Sequence, residues 1–160
     1  MIPQIETMSG WELYSELYPR ICAAEGERIV LVRGEKMTSM RGLLDECSAA
    51  LQFPPRPTSN WDSFSEDFFS LEWIAQSRKI LVVLNADRVL TEERESERTI
   101  FFNILVDAPV ENAKEWASRG DRESSFEVIL QTDEAHRREL EKMFAEIVNS
   151  RTQTPPTEIR

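Results

Sequence analysis

The run Lys79-Ile80-Leu81-Val82-Val83-Leu84-Asn85 is apolar at every position between its two polar ends. It is too short for a globular helix and rich in β-branched residues, so it reads as a strand. A strand with no polar face must be covered on both sides, which is the situation at the centre of a parallel sheet. Two further runs have the same character: Arg28–Gly34, ended by a glycine, and Ser125–Gln131. Stretches of helical spacing separate all three. The expected class is α/β, with a three-stranded, mainly parallel sheet packed with helices.

The connecting stretches carry helix signals. Thr38 or Ser39 caps a helix to about Leu51, with Met40, Leu43, Leu44, Cys47 and Leu51 as its apolar stripe. From Thr91 to Val106, the acidic start Glu92-Glu93-Arg94-Glu95 leads into Ile100, Phe101, Ile104 and Leu105. Proline removes a backbone donor and clashes with the preceding turn, so this helix is expected to stop before Pro109, with a separate piece from Val110 to Ser118. Before the first strand, Met8–Ala24 has helical spacing with Ser9 as N-cap, and Pro19 predicts either two short helices or a kink. After the last strand, Thr132 or Asp133 caps a helix with Leu140, Met143, Phe144, Ile147 and Val148 on one face. That stripe either packs back on the domain, beside the N-terminal helix, or serves a dimer contact. Arg151–Arg160, with Pro155-Pro156, reads as a disordered tail.

The 160 residues, 41% of them hydrophobic, suit one domain. A net charge of -10 disfavours nucleic acid and anionic membranes, which would repel the chain, and favours a basic partner. The start Met1-Ile2-Pro3-Gln4-Ile5-Glu6 has neither a cationic nor an apolar leader region, and no long apolar run occurs. The expectation is a cytoplasmic protein. Cys22 and Cys47 have no metal spacing and are expected as buried, reduced thiols.

Catalytic signatures are missing. None of the five glycines is arranged as a phosphate-binding loop. The single histidine, His136, lies beside Arg137 and Arg138 with no nucleophile or orienting acid placed by sequence to serve it, so it is expected on the surface. The chain is expected to be neither an enzyme nor a metal or cofactor protein.

The stretch Asn60-Trp61-Asp62-Ser63-Phe64-Ser65-Glu66-Asp67-Phe68-Phe69 is the candidate site. At 3.6 residues per turn, Trp61, Phe64 and Phe68 share one face, which should be buried. Asp62 and Glu66 stand four apart on another face with Asp67 beside them, and no Lys or Arg occurs from Thr58 to Gln76. Like charges at that spacing cost a few tenths of a kcal/mol, roughly, so they are either a solvated face or a surface aimed at a basic partner.

This motif resembles the second helix of the barstar family, intracellular proteins that inhibit secreted ribonucleases, whose pattern runs Asn, large apolar, Asp, small, apolar, variable, acid. The likeness covers roughly residues 28–131. It implies one barstar-like domain over 1–150, with core 28–131, an N-terminal helical extension 8–24 and a C-terminal helix 133–149. It also implies that Asp62 and Glu66 take the main acidic contact positions, with Asp67 alongside. Trp73 is placed either as the family's contact tryptophan after the acidic helix or as a core residue. Asp107, read at the end of its helix, matches an outlying contact acid. Two positions depart from the pattern. Pro54-Pro55-Arg56-Pro57 replaces an aromatic and glycine-bearing contact loop, which brings Arg56 to that place, and Ser65 stands where some members carry an aromatic anchor. The resemblance implies an inhibitor or immunity protein that blocks a basic ribonuclease or toxin. The alternative is a non-inhibitory interaction domain on the same scaffold.

Overall fold

The computed structural model describes residues 2–23, 25–56 and 60–153. It is an α/β fold whose elements run β1 (Gln4–Glu6), α1 (Gly10–Ala23), β2 (Glu27–Arg33), α2 (Met40–Ala50), α3 (Trp61–Ser70), β3 (Arg78–Leu84), α4 (Glu95–Ser118), β4 (Ser125–Gln131) and α5 (Glu134–Thr152). The three expected strands are present and pair in parallel in the order β4-β3-β2. The sheet differs from expectation in having four strands. β1 pairs in parallel with the outer edge of β4, Gln4 opposite Ile129, and the Thr132 N–H donates to the Glu6 carbonyl at 3.0 Å.

β3 lies at the centre, with Lys79 to Val83 all buried. Its alternation splits the core. Ile80 and Val82 face Leu13 and Leu17 of α1, while Leu81 and Val83 face a larger cluster built from α2, α3, α4 and α5. α1 thus crosses one face of the sheet from the β1 edge to the β2 edge. Ser9 and Glu12 cap it reciprocally, each side chain accepting from the other's backbone N–H, at 3.1 and 2.8 Å. Pro19 leaves this helix continuous. It is exposed, and so is Ser15, whose carbonyl loses its donor and can be met by water.

Pro109 likewise fails to end a helix, and α4 is one element through Ser118. Packing holds both halves on one axis. Arg98 donates to the Val89 and Asp87 carbonyls near its start, and Asn112 and Trp116 bind the end of α3 beyond the proline. α5, capped by Asp133, turns Leu140, Phe144 and Ile147 into the main core, with Phe144 edge-on to Phe102 at 5.2 Å. Its stripe is therefore used within the chain, and on the opposite face of the sheet from α1 rather than beside it. α5 also continues through Thr152, so Arg151 is helical and not part of a tail; residues 154–160 lie outside the described residues.

Of the cysteines, Cys47 is buried with its sulfur 3.7 Å from that of Met37, and burial raises its thiol pKa. Cys22 is exposed, contrary to expectation, because it lies on the outer side of α1 with Trp11 and Tyr18.

Candidate functional site

α3 is built from one face inward. Asn60 caps it, its side-chain oxygen accepting from the Ser63 N–H at 2.9 Å. Phe64 and Phe68 are fully buried, stacked on each other at 5.2 Å, and Phe68 packs on Phe126 of β4. Trp61 is half-buried beside Phe101, with its indole N–H donating to Glu97. The helix ends at Leu71 in a left-handed conformation, φ 43°. Asn112 donates to the Phe69 and Ser70 carbonyls and Trp116 to the Ser70 carbonyl, so α4 supplies partners for the helix C-terminus.

With that face buried, Asp62 and Glu66 point outward, and the Glu66 side chain is 72% exposed. Neither is buried by the scaffold. Ser65 is half-buried and its hydroxyl donates back to the Asp62 carbonyl at 3.1 Å. Asp67 does not join the outward acids. It is 3% exposed, and its Oδ1 accepts from Arg56, whose guanidinium also lies 3.8 Å from Glu66. The cation missing from Thr58–Gln76 is thus supplied from just outside that window. Asp67 and, more weakly, Glu66 hold the Arg56 guanidinium pKa above its ordinary value.

Arg56, Glu66, Asp67 and Trp73 line one groove of about 500 Å3. Trp73 packs as a core residue would, its indole N–H donating to the Leu51 carbonyl at 2.7 Å and its ring meeting Phe53 edge-on at 5.8 Å, and it also borders the groove. Residues 57–59 of the proline-bearing loop lie outside the described residues. Asp107 is not gathered in. It lies mid-helix in α4, not at a helix end, and pairs with Arg151 of α5, whereas α3 packs along a different side of α4 through Trp61–Glu97 and Ser70–Trp116.

Several supporting residues carry no local sequence signal. Arg119, which also lines the groove, bridges Glu72 and Glu115. Lys79 is buried, its ammonium 3.1 Å from the Ser124 hydroxyl and 4.4 Å above the Trp116 ring, and burial lowers its pKa. A lysine opening an otherwise apolar strand was the only hint of it. His136 is half-exposed at the start of α5, bonded to Asp133 at 2.6 Å. Among the described residues, no three His, Cys, Asp or Glu are grouped to hold a metal ion, and no helix is long and apolar enough to cross a membrane.

A family model described as "Barstar (barnase inhibitor)" matches residues 27–131, which run from the start of β2 to the end of β4. No curated protein and no solved structure matches the chain.

Proposed function

Because the chain belongs to the barstar family, we propose that it is an inhibitor or immunity protein that blocks the cationic active site of a ribonuclease or similarly basic toxin, using Asp62 and Glu66 of α3. The observation that carries this reading is the two-sidedness of α3. Phe64 and Phe68 anchor the helix in the core, while two carboxylates one turn apart stand exposed on its outer side, Glu66 within 3.8 Å of Arg56. A nuclease site must be cationic to stabilise phosphate. Carboxylates held on a rigid helix can occupy the phosphate position and accept charge-assisted hydrogen bonds from its Arg, Lys or His groups. Substrate is then excluded without any reaction. The net charge of -10 would steer a basic partner, with an on-rate that falls as salt rises.

In this reading the chain acts in the cytoplasm, as a monomer or as a dimer through its terminal helices, with residues 1–150 one domain. α1, β1 and α5 complete its core outside the family-matched segment. Trp73 and Arg56 border the contact surface and Asp107 is at most peripheral. The test is capture of a basic ribonuclease by the wild-type chain and by the Asp62→Ala/Glu66→Ala double variant, followed by a ribonuclease assay on the captured enzyme. Loss of capture in the double variant, with loss of ribonuclease activity in the wild-type complex, supports inhibition.

One observation favours a second reading, a non-inhibitory interaction domain. The Ser65 hydroxyl is bonded to its own helix, so the position offers no aromatic anchor, and interface affinity usually concentrates on such anchors. Capture of a partner that retains full nuclease activity, or has none, would establish that alternative.

A further inference from the structure

Asp67 is the single buried side chain among the described residues that keeps an oxygen without a hydrogen-bond partner. Its Oδ1 accepts from Arg56 Nη2, and its Oδ2 accepts from nothing. A guanidinium can meet a carboxylate with two parallel N–H···O bonds, one to each oxygen. Arg56 makes only one, and the same nitrogen turns toward Glu66 at 3.8 Å. Its side chain is 46% exposed, and it follows Pro55, whose fixed φ angle limits how this segment can turn toward Asp67. Asp67 faces a groove of about 500 Å3 that Phe69 and Trp73 also line. Arg119, the other cation of that groove, is already held by Glu72 and Glu115.

The surroundings favour a planar cation over a point charge. An ammonium would not match the fork that both Asp67 oxygens can accept, whereas a guanidinium both matches it and stacks on aromatic walls. We propose that this groove is a guanidinium site with two alternative occupants, Arg56 in the free protein and an arginine side chain of the partner in the complex. Arg56 is then an internal competitor for the acidic surface. The second occupant rests on the reading of α3 as the partner-binding helix. Displacement of Arg56 would release Glu66 from its ion pair and let the incoming guanidinium use the oxygen that Arg56 leaves unmet.

The groove is tested without any partner. Urea midpoints of the full-length wild type and of Arg56→Ala are measured with ethylguanidinium and, at matched ionic strength, with ethylammonium. The expected result is that ethylguanidinium returns most of the midpoint lost in Arg56→Ala, ethylammonium returns little, and the wild type gains from neither. Arg56→Gln, which keeps a donor for Asp67, supports the same comparison if the alanine variant does not fold. Equal rescue by both cations, or none, overturns the site. Competition is tested by capture of a basic ribonuclease. Arg56→Ala should bind several-fold more tightly than wild type, while Lys142→Gln, which removes the same charge from an exposed position of α5 outside the groove, should bind as wild type does. Equal gains from both variants would reduce the effect to net charge and overturn the competitor. A ribonuclease that binds none of the proteins would sink the inhibitor reading and the second occupant, leaving the rescue to decide the groove.

Discussion

Gly34 and Asn85 meet where β2 and β3 end: a Cβ added to Gly34 would lie 2.0 Å from the Asn85 carbonyl oxygen. Gly34 is buried, and the atom it would strike is backbone, so no side chain can swing aside. Gly34→Ala should destabilise the protein by about 1–3 kcal/mol, the usual range for overpacking a closed site. A urea melt read by far-UV circular dichroism checks it, and an unchanged midpoint would mean that the strand ends separate cheaply.

The two sides of α3 should separate stability from binding. Phe64→Ala removes a fully buried ring that contacts Phe53, Trp61, Phe68 and Phe101, and should cost about 3–5 kcal/mol in a urea melt. Asp62→Ala and Glu66→Ala should leave the melt within a few tenths of a kcal/mol of wild type, roughly, since neither side chain is buried. Each should nevertheless weaken ribonuclease capture by about 2–5 kcal/mol, if its partner charge becomes desolvated in the complex. Wild-type affinity in the double variant would remove the acids from the mechanism.

The Arg56–Asp67 pair should be asymmetric. Arg56→Ala strands a carboxylate that is 3% exposed, whereas Asp67→Ala leaves a half-exposed guanidinium that water can solvate. The first change should cost about 1–3 kcal/mol, the penalty for an unmet buried acceptor, and the second distinctly less. A double-mutant cycle on urea melts measures the difference, and equal costs would show that solvent reaches Asp67 freely.

His136 should make stability depend on pH near neutrality. Its hydrogen bond to Asp133, and then the nearby Asp87 carboxylate, raise its pKa above the ordinary value, with Glu139 adding to the same direction. A base whose pKa is raised on folding contributes stability that is fully present below its unfolded pKa of about 6.5 and is lost as pH rises through the folded value. The difference in thermal midpoint between wild type and His136→Gln should therefore shrink across that window. Asp133, whose own pKa is lowered by His136, works in the opposite direction at acid pH, where its contribution fades as it protonates. A difference that stays constant with pH would mean that His136 titrates alike folded and unfolded.

Local chemistry was enough for the parts of the fold that rest on periodicity and capping. The runs at Arg28–Gly34, Lys79–Asn85 and Ser125–Gln131 became parallel strands, and the aromatic stripe of α3 went inward, because short-range pattern decides which face can leave water. Ser39 and Asp133 cap helices, each being one of the two candidates that its sequence offered. What only the tertiary structure decided depends on partners far along the chain. Gln4–Glu6 is too short to show a period and is a strand because β4 offers it an edge. Pro109 lies inside α4 because contacts on both sides of it outweigh one lost hydrogen bond. Asp62, Glu66 and Asp67 look alike in sequence, yet the packing of Phe64 and Phe68 sets the helix rotation that leaves two of them in water and turns the third inward. There Arg56, from the preceding loop, completes a charge pair that no window on α3 alone could contain.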